Sequence, residues 1–451
     1  MTTELNRRTE ALLRRLVRRD AGPAVRKLIR NFPAADVSAA MEHLTFAEQR
    51  RLYRHIEDPA YAAEVLAHLS DVSTREVTKD LSEDAVVTLL TNMEPDDATD
   101  AVNAFDEDLR LRVLSELRDD EAGDEVRRLL AFPPETAGGI MSTSVFTVQQ
   151  DTTVAEAIAA VQAQHENFEM VQYVYIVDAT DHLLGVTSLR SLLTHPPRTS
   201  IASFMVTDPI TVGPAQDQEE VARIVARYDF LAVPVVDKSR RILGLVTVDD
   251  VVDVIRQEAE EDMMLMAGMQ SPQPHQSVLR QGGMRAVWLL ATIFGGVLAA
   301  EIIGLYESSL TKMAVLAGFI PVVMGMGGNV GIQSATLAVR GLATGEVQLS
   351  GAGSFLWQEV RVGLLLGMVY AVLLGGYGFA RFPGTPAIGL SLGLSILLAI
   401  LAAGGIGAML PVALQRFGAD PAVATGPFVT TLVDLLGIVI YFNVAQALIP
   451  L

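Results

Sequence analysis

The sequence predicts a multi-domain chain: an all-α superhelical N-domain, a tandem pair of α/β units, and an α-helical membrane domain with five transmembrane helices. Three observations predict this. Hydropathy and charge change abruptly near residue 281, a pattern within residues 141–255 occurs twice, and residues 25–130 repeat leucine and valine every three or four positions.

Leucine and valine at helical spacing in residues 25–130 predict short amphipathic helices, with turns every 10–15 residues. Ser73-x-x-Glu76 reads as a capping box, and Pro95-Asp-Asp as a helix start. The expected result is a helical superhelix.

The duplication comes next. Its first copy runs Phe146-Thr-Val, an amphipathic Val154 to Gln164, Val174-Tyr-Ile-Val-Asp178, Leu183-Leu-Gly-Val-Thr-Ser188 and a helix at Leu189 to Leu193. Its second runs Ile210-Thr-Val, a helix at Glu219 to Arg227, Ala232-Val-Pro-Val-Val-Asp237, Ile242-Leu-Gly-Leu-Val-Thr247 and a helix from Asp249. Gly185 and Gly244 recur at the same spacing as Asp178 and Asp237. Short β-branched runs alternating with helical pattern indicate α/β units with buried strands.

Mean hydropathy over the chain is +0.34, an average of two unlike halves. Apolar stretches at Ala286 to Gly304, Met313 to Val339, Val360 to Ala380, Ala387 to Leu410 and Thr425 to Ile449 each approach or exceed the roughly 20 residues that cross a bilayer. Five such stretches separated by short loops do not fit buried core helices. From Gln281 onward six cations (Arg285, Lys312, Arg340, Arg361, Arg381, Arg416) balance six anions (Glu301, Glu307, Glu346, Glu359, Asp420, Asp434), so the whole net charge of −19 lies on residues 1–280. That makes the acidic half as a whole a poor candidate for a nucleic-acid or anionic-lipid partner, and suits attraction of cations. With residue 285 in the cytosol, four of the six membrane-domain cations fall inside. The soluble half is then cytoplasmic, with Leu451 on the far side of the cell membrane. Met1 to Asp20 is arginine-rich without the apolar core of a signal peptide. The chain has no cysteine, which excludes disulfides, thiolate zinc sites and cysteine catalysis.

An ionised group within a span costs about 2.5–3.5 kcal/mol or more, so Asp434 near the middle of the last apolar stretch is a candidate pore ligand. Thr430 and Thr431 lie one turn away. A protonated Asp434 hydrogen-bonded to a neighbouring helix is the alternative. In the second stretch Asn329, Gln333 and Thr336 share a helical face, beside Gly325, Gly327, Gly328 and Gly331. The glycines alone fit close helix packing. A carboxylate with amide and carbonyl oxygens suits a hard divalent cation that keeps most of its water. One such group per chain is thin for a double charge, so a dimer sharing two Asp434 carboxylates is expected. The chemistry leaves Mg²⁺, Mn²⁺ and Co²⁺ open. Between Asp249 and Asp262 seven carboxylates accompany one arginine, which reads either as a solvated linker or as a cation-responsive gate.

The duplicated units resemble a tandem pair of CBS domains, which commonly sense an adenosine nucleotide. With five spans, Gly-Gly-Asn-Val-Gly-Ile-Gln-Ser-Ala-Thr336, Gly-Pro-Phe-Val-Thr-Thr-Leu-Val-Asp-Leu-Leu-Gly437 and Glu135-Thr-Ala-Gly-Gly-Ile-Met141, the chain resembles the MgtE family of Mg²⁺ channels over nearly its whole length. The resemblance implies a homodimer in the cell inner membrane, a pore between protomers, and an acidic plug helix. It also implies closure by intracellular Mg²⁺ bridging carboxylates. Carried over by motif, Asp434 is the pore ligand and Asp420 sits at the cytosolic mouth. Glu258, Glu261 and Asp262 serve the plug, Glu219, Asp229, Asp250 and Asp253 the second CBS copy, and Glu64, Asp96, Asp100 and Gly139 the N-domain side. Gly426 departs from the asparagine that some members carry before the proline of the last span. The expected boundaries are 1–130 for the N-domain, 131–200 and 201–255 for the CBS copies, 256–280 for the plug and 281–451 for the membrane domain.

Other classes fit less well. No phosphate-binding glycine loop is present, and every histidine precedes residue 276, which argues against a CBS-regulated membrane enzyme. An intramembrane carboxylate without an intramembrane cation argues against an anion channel. Coupled transport of other divalent cations remains the alternative to a Mg²⁺ channel.

Overall fold

Short capped helices build the first part of the chain: α1 (Arg7–Arg18), α2 (Gly22–Ile29), α3 (Ala34–Glu42), α4 (Phe46–Tyr53) and α5 (Pro59–Ala67). They continue as α6 (Asp71–Thr78), α7 (Glu83–Leu90), α8 (Pro95–Ala104), α9 (Glu107–Glu116) and α10 (Glu121–Leu129). The computed structural model describes residues 7–117, 121–163, 171–269, 278–347 and 351–449. Gln164, part of the connecting segment and Leu451 lie outside the described residues. From α3 to α10 each helix packs on the one two places along, the arrangement of a superhelix. Leu13, Val25, Met41, Leu52 and Leu66 fill its first core.

The caps explain the helix starts. Asp58, Ser70 and Ser82 each accept a hydrogen bond from a backbone N–H of the first turn. Ser70, rather than the expected Ser73, caps α6: Ser73 is buried inside the helix, where its hydroxyl donates to Glu42 and Glu76 instead pairs with Arg50 and Lys79. Thr45 and Glu48 form the true capping box of this region. Burial alone would raise the Glu48 pKa, but the Arg18 guanidinium and Thr45 overcome it and hold it at about 2. A depressed carboxylate stabilises the fold above its unfolded value of 4.5, and that contribution is lost as pH falls toward 2. Glu48→Gln is therefore expected to destabilise the N-domain by about 2 kcal/mol at neutral pH, and by much less at pH 3. Equal losses of melting temperature at both pH values would contradict this.

In the α/β region, β1 (Thr147–Gln149), α11 (Val154–Ala163), β2 (Tyr173–Val177), β3 (Leu183–Ser188), α12 (Leu189–Thr194) and β4 (Val206–Thr207) form the first copy, with sheet order β1-β2-β3-β4. The second copy comprises α13 (Gln218–Tyr228), β5 (Ala232–Val236), β6 (Ile242–Thr247) and the start of α14 (Val248–Met266). The recurring residues share structural duties. Asp178 accepts from the backbone N–H groups of Thr180 and His182, and Asp237 does the same for Ser239 and Arg241, closing equivalent hairpins. A Cβ on Gly185 would lie 2.8 Å from the Val206 carbonyl oxygen, and one on Gly244 would lie 2.5 Å from that of Ser142. Both positions need glycine because another stretch of backbone, β4 at Gly185 and the segment at Ser142 at Gly244, passes against them.

The chain divides into two units, Met1–Arg256 and Gln257–Leu451, and α14 begins in one and ends in the other. The second unit holds α15 (Val278–Leu305), α16 (Glu307–Lys312), α17 (Ile320–Ala343), α18 (Ala352–Arg381), α19 (Pro386–Arg416) and α20 (Pro427–Leu448). Among the described residues five helices are long and apolar enough to span a bilayer; the second of these includes the 3₁₀ turn Ala314–Phe319 ahead of α17. Helix α18 starts eight residues before the apolar stretch read from the sequence, because the backbone continues helical through polar residues that hydropathy does not register.

Helices α17, α19 and α20 pack closely through glycines. A Cβ on Gly407 would fall 2.3 Å from the Gly331 carbonyl oxygen, and Gly331 in turn receives Val429 and Val433. Backbone-to-backbone contact leaves no side chain to yield. Gly407→Ala is expected to cost about 1–3 kcal/mol, read as a lower unfolding temperature of the detergent-solubilised protein. An unchanged temperature would mean that the two helices can separate freely.

Candidate functional site

Asp434 is placed by α20 against the glycine-lined side of α17. Its Oδ1 lies 3.6 Å from where a Gly328 Cβ would stand, so a bare backbone leaves room for the carboxylate. Gly327 and Gly331, on the neighbouring side of α17, take Val433 of the same helix. At 100° per residue Gly328 sits between this packed side and the side bearing Gly325, Asn329, Gln333 and Thr336. All four are exposed in the single chain, although they lie within an apolar span. Asp434 itself is half-buried. The carboxylate thus stands at the edge of an uncovered polar stripe, an arrangement that a second copy or an aqueous lumen would satisfy.

The two threonines diverge. Thr430 donates its hydroxyl to the Pro427 carbonyl at 3.1 Å, and Thr431 turns to α15, where its methyl lies 2.2 Å from a Cβ position on Gly295. Asp420 is exposed and caps the 3₁₀ turn Pro421–Ala424 by accepting from Ala422 N–H at 2.7 Å. Past the end of α14, Gly268 adopts φ +67° and packs on Pro427, 3.2 Å from its own Cβ position to the proline ring. A Cβ on Gly426 would be 3.5 Å from Gly268. The end of the acidic helix therefore rests on the first residues of the helix that carries Asp434. Glu258 and Asp262 are partly buried and Glu261 is exposed on that helix.

One membrane carboxylate escaped sequence reading. Glu359, assigned to the approach to the third span, is 5% exposed and accepts a 2.7 Å hydrogen bond from Ser334, the neighbour of Gln333 on α17. A carboxyl so enclosed would be costly without that donor. Glu359→Ala is expected to lower stability by about 1–3 kcal/mol, with Glu359→Gln closer to wild type; equal stability of the two variants would contradict the hydrogen-bonding role.

In the first unit, carboxylates gather where α8 meets the start of α14. Asp96, whose Oδ1 is buried without a partner, is pushed up by burial, with Asp249 adding to the effect. Asp100 is crowded by protein on one side while open to solvent on the other. That crowding and the nearby Asp250, Asp96, Asp97 and Asp71 push it up to about 7. Asp250 accepts from Thr247 at 2.6 Å and is also pushed up to about 7, by burial first and then by Asp96, Asp249 and Asp97. Burial first, and neighbouring negative charge second, raise these carboxylates together. The sequence indicated Asp96, Asp100 and Asp250, and counted Asp249 in the acidic stretch; Asp71 and Asp97 join them only through the fold. Glu64 is exposed, Glu219 pairs with Arg223, Asp253 pairs with Arg256, and Asp229 ends α13 in the left-handed region. Gly139 is required by packing, since a Cβ there would meet the Pro133 carbonyl oxygen at 2.4 Å. Among the described residues no three carboxylates or imidazoles converge closely enough to hold a metal ion as they stand.

Five long apolar helices among the described residues define a multi-pass membrane protein. Family models place it further. Residues 320–444 match the MgtE divalent cation transporter model, 32–135 the MgtE intracellular N domain, and 137–197 and 201–257 the CBS domain. The magnesium transporter MgtE of Thermus thermophilus is 36% identical over 94% of this chain and 95% of its own. That of Bacillus subtilis is 33% identical over 94% and 96%, and that of Enterococcus faecalis 39% identical over 72% of each. The chain belongs to the MgtE family. A crystal structure of the soluble part of a magnesium transporter, 32% identical, aligns with a TM-score of 0.50 over 55% of this chain and 98% of that one.

Proposed function

We propose that the protein is a Mg²⁺-selective channel that admits Mg²⁺ across the cell membrane and closes when cytosolic Mg²⁺ rises. The observation that carries the pore is Asp434 at the edge of the exposed Asn329, Gln333 and Thr336 stripe. In a homodimer two such edges face a shared axis, and two carboxylates then balance one divalent ion. The ion keeps most of its water, which the amide and hydroxyl side chains accept and orient. The relatives named as magnesium transporters support Mg²⁺ over Mn²⁺ and Co²⁺. The four inward-side arginines support a cytoplasmic acidic half. Uptake of Mg²⁺ by proteoliposomes holding the full chain, with Mn²⁺, Co²⁺ and chloride in parallel, tests the assignment; equal permeation of chloride would end it.

Closure is a population shift. Divalent ions bind between carboxylate surfaces that approach in the closed state, so they favour that state by their differential affinity. Support comes from the carboxylates that gather at α8 and the start of α14 and from the contact of Gly268 with Pro427. Neutralising Glu258, Glu261 and Asp262 together is expected to leave the channel conducting at high internal Mg²⁺. Patch recordings that still show closure would remove the plug helix from the mechanism. An adenine nucleotide at the CBS pair is the remaining part of this reading, and calorimetry with ATP on the full chain would detect it.

A further inference from the structure

The acidic half has one basic end. Residues 1–31, ahead of the matched N-domain, hold nine cations (Arg7, Arg8, Arg14, Arg15, Arg18, Arg19, Arg26, Lys27, Arg30) against Glu4, Glu10 and Asp20, a net +6. Helix α1 buries Leu13 and Val17, which leaves Arg14, Arg15, Arg18 and Arg19 on its outward sides. Between α1 and the end of α3 lies a cavity of about 500 Å³ whose polar wall is those four arginines and His43. Leu44 closes it with apolar surface, and among the described residues no carboxylate lines it. Glu48 reaches Arg14 and Arg18 through their Nε atoms, which fixes both guanidinium groups from one side. Among the described residues no carboxylate pairs with Arg15 or Arg19.

We propose that this cavity binds a small phosphate-bearing anion. Guanidinium forks match phosphate oxygens in pairs, and anchoring two of them beforehand reduces the ordering cost on binding. The volume is that of a small-ligand site, where pockets span about 300–1000 Å³. An extended nucleic acid is disfavoured. His43 is the only ring in the lining, and the rest of the acidic half, carrying −25 once this end is set aside, repels a long polyanion. The phosphate group belongs either to a soluble compound or to a lipid headgroup, and both present the same chemistry to the arginines.

The test uses the full chain in nonionic detergent with EDTA, titrated calorimetrically with pyrophosphate and, separately, with micelles doped with phosphatidic acid. Arg15→Ala with Arg19→Ala is expected to weaken binding at least about tenfold, because two charge-assisted contacts are lost. Lys27→Ala with Arg30→Ala removes the same charge outside the cavity and is expected to leave binding within about twofold. Binding of pyrophosphate alone assigns a soluble ligand, and binding of doped micelles alone assigns a headgroup; either supports the site. Binding that is absent from both, or that falls equally in the two double variants, overturns it.

Discussion

Asp434→Ala is expected to reduce Mg²⁺ influx by at least about a hundredfold, both in proteoliposomes and in a Mg²⁺-starved, transport-deficient cell. In a dimer the substitution removes both charges that offset the ion, and no other carboxylate among the described residues of α17 or α20 can replace them. Asp434→Asn gives the sharper comparison. Asparagine has the same shape beside Gly328, so a purely structural Asp434 would tolerate it. A pore ligand would not, because the amide carries no charge to balance a divalent cation. Full uptake by the Asn variant would therefore remove Asp434 from the conduction path, whereas loss of uptake with an unchanged unfolding temperature would fix it there.

Asp100→Asn together with Asp250→Asn is expected to leave Mg²⁺ influx substantially unclosed at high internal Mg²⁺. Moving a two-state equilibrium from 1:99 to 99:1 takes about 5.5 kcal/mol of differential binding. One ion held only in the closed state at a hundred times its dissociation constant supplies about 2.7 kcal/mol. On those figures closure takes at least two such ions per functional unit, and in a homodimer the variant removes the cluster at α8 and α14 from both copies. The same double variant, with the crowded charge relieved, is expected to be more stable than wild type in EDTA and to gain less stability from added Mg²⁺. Wild-type closure together with wild-type Mg²⁺ stabilisation would place the sensor elsewhere.

The parts of this site legible in sequence were those where one residue breaks a strong local rule. Asp434 stands out because a carboxylate in an otherwise apolar span has few reasons to be there. Asn329, Gln333 and Thr336 stand out through their shared helical face, which the fold leaves exposed. Asp178, Asp237, Gly185 and Gly244 announced the duplication, and the structure gives the reason: two hairpins with the same turn and the same close backbone approach. Other features depend on contacts distant in sequence. Glu359 lies at the edge of an apolar run, and only the continuation of α18 and the approach of Ser334 show it to be enclosed. Asp71 and Asp97 are ordinary surface acids until α6, α8 and α14 are brought near one another. The misplaced cap at Ser73 was a local ambiguity, since Ser70 offers the same hydroxyl three residues earlier.

The contact between the Gly331 and Gly407 backbones has a consequence for how conduction and control divide. With Gly407 of α19 against the Gly331 backbone of α17, and Val429 and Val433 of α20 seated on Gly331, these three helices pack closely at one level. In the proposed channel they are expected to move together there. On the proposed reading, the ion-facing oxygen atoms are then expected to keep their spacing whether the gate is open or shut, with ion preference set by the scaffold and throughput set at its entrance. Variants that jam or free the entrance will change how many ions pass without changing which ones do.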